Sequence, residues 1–419
     1  MAWSRCEMRR LSIAAVLCCL GELVVAGDWT EFRGPAGQGI SAARDLPATW
    51  SESENVAWKT PLPGLGWSSP AIVEGRIFLT TAVPGEGEDQ SLQALCLAAD
   101  SGEVLWAREV FSQRGRVEIH KKNSHASASP IVADGRVYVH FGPHGTAALS
   151  LDGDILWKTN ELRYAPLHGV GGSPALFEDR LIICCDGHDV QYVAALDAAT
   201  GDVLWKRDRG LSPAKGFSFG TPLVIEVNGK PQAICPGSDA VMAYDPRTGE
   251  PIWQARYEGY SVVPRPVYSH GLVIVSSGYD SPKAYAIDPG GRGDVTDSHV
   301  RWTLERGAPT NPSPVVVEDD VYFVSDNGVL TCAAVETGRV RWVQRLGGAF
   351  SASLLAADGR IYAQDEQGTA HVFAPGPKFE RLAENQFADG GRTYASYAAI
   401  DGALFIRSES HLYRIESGR

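Results

Sequence analysis

The sequence predicts an all-β fold, an eight-bladed β-propeller closed by an N-terminal strand that completes the last blade. Three observations point to it. One fragment keeps returning: LCLAADSGEVLWARE at 95–109, LSLDGDILWKTN at 149–160, AALDAATGDVLWKRD at 194–208, MAYDPRTGEPIWQAR at 242–256 and AAVETGRVRWVQR at 333–345. Each reads as an apolar strand, a turn ending in Gly and a strand carrying Trp. A second hairpin turn precedes this fragment in every unit, at Glu74-Gly75, Asp134-Gly135, Glu178-Asp179, Asn228-Gly229, His270-Gly271, Asp319-Asp320, Asp358-Gly359 and Asp401-Gly402, which makes eight units. Asp-Gly is a favoured hairpin pair because it tolerates positive φ. Finally, the two ends complement each other. HLYRIESGR at the C-terminus matches a third strand and its turn, and NVAWKTPL at 55–62 supplies a Trp-bearing fourth strand with no preceding three. Four strands per unit at Trp spacings of 40 to 51 residues is a propeller period.

Taken in order, residues 1–26 read as a secretory signal. Arg5, Arg9 and Arg10 precede an apolar run from Leu11 to Leu20, and Val24-Val25-Ala26 offers a small-residue cleavage site. The run is too short to span a bilayer stably. Cys18 follows Leu17 and Cys19 follows Cys18, where a lipoprotein signal wants a small residue before its Cys, so no lipid anchor is expected. Residues 27–54 form an extension whose Trp29, Phe32 and Trp50 are expected to anchor it across the outside or one face of the ring. The propeller occupies 55–419, with 55–62 as the fourth strand of blade 8 and blades 1–8 at 67–109, 124–161, 170–210, 217–259, 260–307, 308–348, 349–390 and 392–418. Trp58, Trp106, Trp157, Trp205, Trp253, Trp302 and Trp342 occupy one slot of the repeat and are expected to pack between adjacent blades.

Charge narrows the function. The chain has 38 Lys and Arg against 50 Asp and Glu, a net −12, and no basic patch interleaved with aromatics, so it is not expected to bind nucleic acid. The five cysteines after the leader, Cys96, Cys184, Cys185, Cys235 and Cys332, are an odd number. Cys96 and Cys332 fall in the repeat slot of Ala195, which marks them as small core residues and not as a disulfide framework.

Over roughly residues 55–419, ALDAATGDVLW resembles the tryptophan-docking repeat of quinoprotein-like propellers, the PQQ-like repeat proteins. DWTEFRGPAGQGIS, KKNSHASASP and YSVVPRPVYSHGL are similar to stretches of the exported bacterial BamB-like members of that group. The resemblance implies eight blades but not an activity, because the scaffold serves both dehydrogenases and binding proteins. It implies that a dehydrogenase member would hold PQQ between a Trp floor and a vicinal disulfide, with Ca²⁺ on a Glu and an Asn and an Asp as base. Cys184-Cys185 lies within the strand RLIICCDG, where adjacent side chains point to opposite faces, so two core thiols are expected. No Glu, Asn and Asp set matches the calcium site. No catalytic, cofactor or metal residue is therefore assigned.

Other motifs fail on context. GFSFG at 216–220 has the spacing of a nucleophile elbow, but it sits in a loop leading into a strand and not at a strand-to-helix turn. GRGD at 291–294 falls in an enlarged hairpin loop of the fifth blade, with Asp288 and Asp297 nearby, and lacks the spacing of a calcium loop. What remains is the mouth of the channel, where the loops leading into the innermost strands converge. Trp67, Lys122, Asn123, His125, His168, Lys215, Arg265, Asn311 and Tyr394 are its candidate ligand-binding residues, suited to a carboxylate, phosphate or glycan. The expectation is a monomeric, exported, non-catalytic binding or scaffold protein of the periplasm or cell envelope, facing an envelope protein or a polyanionic or glycan ligand. A PQQ-dependent dehydrogenase with an atypical site, using PQQ and calcium, is the first alternative. A polysaccharide-acting propeller enzyme is the second, disfavoured because the mouth loops are short of acids.

Overall fold

The computed structural model describes residues 27–387 and 391–418. The predicted leader, 1–26, lies outside the described residues, as do 388–390 at the end of the seventh blade range and Arg419. The described chain forms eight sheets arranged in a ring, each of four antiparallel strands that are consecutive in all but the eighth, with a short parallel fifth strand added to the fourth and seventh, and almost no helix. Blade 1 shows the plan: inner strand Ala71–Val73, then Arg76–Pro84, Gln90–Ala98 and outer strand Val104–Gln113. In the eighth sheet the outer place is taken by Val56–Pro61, antiparallel to His411–Glu416.

The tight turn after each inner strand has its first residue at φ between 46° and 53° in every blade. The predicted pairs hold except in the sixth unit, where the residue at positive φ is Glu318 and the turn is Glu318-Asp319, one position earlier than expected. Val317 pairs with Asp320, so Asp320 already belongs to the strand.

The recurring Trp has a defined partner. Trp58, Trp106, Trp157, Trp205, Trp302 and Trp342 donate their indole N–H to a carbonyl of the next blade, at Ala99, Leu151, Ala198, Pro246, Val335 and Gly376, over 2.7–3.2 Å. The Gly ending the neighbour's outer turn gives the ring its seat: a Cβ at Gly201 (φ 81°) would lie 2.5 Å from the Trp157 ring. Trp and Gly in one repeat thus serve opposite seams. Trp253 departs from this pattern. Its N–H goes to Gln232 Oε1 of its own blade, and Gln232 reaches the fifth blade through Pro289 O. There the GRGD loop lays Gly293–Asp294 parallel against Trp253 and Gln254, and Asp294 accepts from Arg256 and Gln254. That loop is a clamp on blade 4.

The Ser that opens most units also acquires a reason. Proline, which follows it at Ser69, Ser129, Ser173 and Ser313, pushes the residue before it into an extended conformation, and in the ring the N–H at this position donates to the hydroxyl of its counterpart one blade on. Ser69 donates to Ser129, Ser129 to Ser173, Ser173 to Thr221, Ser313 to Ser353, Ser353 to Ser396 and Ser396 back to Ser69, all over 2.8–3.0 Å. The fifth unit carries Arg265 in this place, which donates onward to Ser313 but offers Thr221 no hydroxyl.

The N-terminal segment does not run over the outside of the ring. Trp29 bridges Ile72 through two 2.7 Å bonds, Thr30 O accepts from Val132, and Gly39 O accepts from Ala356. Ile40–Ser41 pairs in parallel with Ala356–Ala357, and Ser41 Oγ donates to Ala399 O. These bonds reach blades 1, 2, 7 and 8, while on the far side Tyr268 N of blade 5 donates to Gln38 Oε1, so the segment lies across the channel and residues 29–41 stopper it from the turn face. Their buried centre is ionic. Arg33 donates to the carbonyls of Gln38, Ser313, Pro314 and Leu354. Gly37 (φ 65°) leaves room for the Arg265 guanidinium, which a Cβ there would meet at 2.3 Å.

Candidate functional site

Because each inner strand runs through the ring, the loops leading into it gather on the face opposite the stopper. This open mouth is aromatic. Trp67 and Tyr394, from blades 1 and 8, pack with ring centroids 4.6 Å apart, and Arg392 lies 6.0 Å from both rings. Across blades 2 to 5 a second line runs from His120 to His168 (5.6 Å), Phe217 (5.0 Å from His168), Tyr260 (5.6 Å from Phe217) and Tyr279 (5.9 Å from Tyr260). Lys215 Nζ sits 4.0 Å over the Tyr260 ring and 2.7 Å from its hydroxyl.

Three cations at this mouth meet acids. Lys122 pairs with Glu366 at 2.7 Å, Lys215 lies 3.8 Å from Asp280, and Arg392 pairs with Glu409. The Glu409 carboxylate and the Arg392 guanidinium shift each other's pKa down and up respectively, chiefly through their hydrogen bond. At these three positions the surface combines aromatic rings with paired charges.

The structure brings together Trp67 and Tyr394, and His168, Lys215 and Lys122 face the same mouth. Asn123 is spent within its loop, accepting from Ser124 and Ser127 and donating to His168 O, and Asn311 donates to Asp326. His125 is half-buried, and burial followed by the neighbouring His144 lowers its pKa. Arg265 is a correction. It is 2% exposed, and its guanidinium donates to Phe32 O, Pro222 O and Glu31 Oε2 (3.0 Å), so it belongs to the stoppered interior. Burial raises the Glu31 pKa, opposed by Arg265. The signal was available: Arg265 precedes Pro266 in the slot that Ser holds elsewhere.

Sequence reasoning missed Arg392, Phe217, Tyr260 and Tyr279, none of which carries a repeat signature, and Arg407. Arg407 is 2% exposed at the blade 8 to blade 1 seam, donates to Ser68 O and pairs with no carboxylate among the described residues. Burial alone pulls its pKa down to about 9. A cavity of about 460 Å³ lies elsewhere, between the stopper and the inner strands of the first blades, edged by Asp28, Glu31, Glu74 and Asp134. Cys184 and Cys185 pair with Val193 and Tyr192 in an unbroken ladder and pack into different clusters, as adjacent strand residues must. All five described cysteines are free, and burial pushes the Cys96 and Cys332 thiols up to about 12.

His140, near the mouth end of blade 2, supplies a pH prediction. It is buried, its Nδ1 meets Thr146 Oγ1 at 2.9 Å, and burial lowers its pKa to about 4. The folded state thus refuses a proton that the unfolded state accepts, so stability present above pH about 6.5 is lost as pH falls toward 4. His140→Gln should remove up to about 3 kcal/mol of that loss. Urea denaturation at pH 7 and pH 4.5 checks this, and equal pH dependence in both proteins would contradict it.

A ring of eight four-stranded sheets fastened by Trp against Gly is an eight-bladed β-propeller of the PQQ-like repeat class. The chain belongs to the family described as Outer membrane protein assembly factor BamB, which matches residues 48–207, 189–316 and 294–375. It is 33% identical over 165 residues to methanol dehydrogenase [cytochrome c] subunit 1 of Methylorubrum extorquens, covering 33% of this chain and 24% of that protein. It is 27% identical over 167 residues to Outer membrane protein assembly factor BamB of Yersinia pestis, covering 37% and 39%. These matches thus span well under half of either relative. Among solved structures, BamB from Moraxella catarrhalis superposes with a TM-score of 0.60 at 14% identity, covering 87% of this chain and 98% of that one. Quinohemoprotein alcohol dehydrogenase from Comamonas testosteroni gives 0.68 at 12% identity, covering 94% and 81%. Both show the fold alone.

Proposed function

We propose that this protein is a non-catalytic binding or scaffold propeller of the periplasm or cell envelope, engaging a protein partner at its open mouth. The observation that carries this reading is the asymmetry of the two mouths. One is filled by the protein's own residues 29–41, and the other presents Tyr394, Arg392, Tyr260 and Tyr279 over paired charges, with the buried Trp67 packed on Tyr394. Trp, Tyr and Arg are the residue types that dominate protein–protein hot spots. Placement in the envelope rests on the leader read at 1–26 and on the assembly role named for the BamB relatives. No helix among the described residues is long and apolar enough to cross a membrane.

Photo-crosslinkers at Tyr394 and Lys215 should yield one discrete adduct in envelope extract, while one at Asp134 on the stoppered face should not. Tyr260→Ala with Tyr394→Ala should weaken that adduct's affinity by about 2 kcal/mol or more at nearly unchanged stability. No mouth adduct, or equal adducts from both faces, would remove the reading. The 33% identity to a methanol dehydrogenase subunit supports a second one, a PQQ-dependent dehydrogenase. Against it, the Cys184 and Cys185 side chains face opposite sides of their sheet and do not form a paired lid for a quinone. A stoichiometric quinone absorbance after PQQ and Ca²⁺ addition, with dye-linked alcohol oxidation, would install the dehydrogenase reading instead.

A further inference from the structure

Seven docking Trp serve eight seams, and the seam without one lies between blades 7 and 8. In the register that places Trp106 opposite Cys96 and Trp342 opposite Cys332, the seventh blade places Ala383 opposite Val372. The vacancy is filled by the N-terminal segment. Trp50 is buried and stacks on Tyr362 (6.4 Å, 26°), and Tyr362 holds the strand position of Phe78, Tyr138, Tyr322 and Phe405, which meet the docking Trp in four other blades. Asn385 fastens the strap from both sides, accepting from Trp50 N at 3.0 Å and donating to Ala48 O at 2.9 Å. Tyr362 donates to Pro47 O, and Arg360 donates to Leu46 O.

This seam also carries unsatisfied buried groups. The Tyr397 hydroxyl, whose ring meets Tyr362 at 6.2 Å, is buried without a hydrogen-bond partner, as are both amide atoms of Gln364 at the end of the same strand as Tyr362. Each such group subtracts from the seam's stability. The strap, 42–55, runs without interruption into the stopper, 29–41, which is held on the ring by the buried Trp29, by backbone bonds, by the Gln38 and Ser41 side chains and by the Arg33 and Arg265 contacts.

We propose that residues 28–55 work as one latch, in which Trp50 at the blade 7 to blade 8 seam holds the Trp29–Ser41 stopper in the channel and its release opens the channel from the turn face. The channel is closed in cis by a segment whose anchor at the blade 7 to blade 8 seam is the Trp50 indole. Loosening that indole lets the stopper leave while the other seams, each with its own Trp or the blade 4 clamp, stay shut.

Native-state hydrogen exchange on the full chain tests this through the amides of Ile72, Val132 and Ala356, which donate to stopper carbonyls Trp29 O, Thr30 O and Gly39 O. Trp50→Ala should speed exchange at all three by about tenfold or more, as a local opening. Trp342→Ala, which removes an indole from the neighbouring seam, should not. If Trp50→Ala fails to fold, Asn385→Ala takes its place under the same criterion, since it cuts two strap bonds. An equal response of the three amides to seam 7–8 and seam 6–7 variants would overturn the latch.

Discussion

Deletion of Asn55–Leu62 is expected to lower the unfolding temperature by about 10 °C or more. The strand Val56–Pro61 pairs residue by residue with His411–Glu416, and its loss bares that strand as an open edge in the eighth sheet. It also removes Trp58, which donates to Ala99 O, and Thr60, which donates to Gly102 O at 2.8 Å, from the seam with blade 1. Truncating a core Trp costs about 3 to 5 kcal/mol, and each unmade ladder bond adds about 1 kcal/mol. For a chain this large each kcal/mol moves the transition by about 2 °C. What then joins blade 8 to blade 1 is the Ser396 to Ser69 bond, the Arg407 to Ser68 and Arg414 to Ala99 O contacts and the packing of Trp67 on Tyr394. Differential scanning calorimetry decides it, and an unchanged melt would show that the ring does not depend on the added strand.

The second large effect is at a seam away from the termini. Trp205→Ala should cost about 3 to 5 kcal/mol, because the indole is buried and its removal leaves the Pro246 carbonyl unpaired. Gly249→Ala attacks the same seam from the other side, since a Cβ there would meet the Trp205 ring at 2.6 Å from a backbone at φ 71°. The double variant should then lose clearly less than the sum of the two, because Trp205→Ala removes the clash and leaves only the backbone strain of about 1–2 kcal/mol. Guanidinium denaturation of the four proteins provides the cycle. Strict additivity, or a loss below about 1 kcal/mol for Trp205→Ala, would mean that indole and glycine do not form one joint.

The blades, their turns and the Trp series were legible because each is a local pattern repeated at a fixed period. Cys96 and Cys332 were readable as core residues for the same reason, and both lie opposite the docking Trp. Legibility ended where the partner of a residue is distant and unrepeated. The role of the Ser that opens most units appears only when it meets its counterpart in the next blade, as Ser396 meets Ser69 where blade 8 adjoins blade 1. Arg265 was placed at the mouth because a cation in a loop reads as a ligand group, whereas its Pro266 already set it in the channel wall. Trp50 carries no repeat context, so nothing in its own neighbourhood shows that it stands in for the indole that Ala383 lacks. The turn at Glu318-Asp319 slipped by one because three consecutive acids leave the pair ambiguous. Of the mouth, the positions of Trp67, His168, Lys215 and Tyr394 were foreseen, but not the acids that neutralise its cations.

The way residues 29–61 are held also constrains how the molecule is made. Ser41 bonds a carbonyl 358 positions later, and the strand Val56–Pro61 has no mate until His411–Glu416 exists. This segment emerges early in translation and can be seated only after nearly all the rest, so contacts of this sequence separation form late and slowly. During that interval three indoles, Trp29, Trp50 and Trp58, and an unpaired strand stand open to any passing surface, and a nascent-chain chaperone that shields them would govern the yield of folded protein more than the stability of any finished blade.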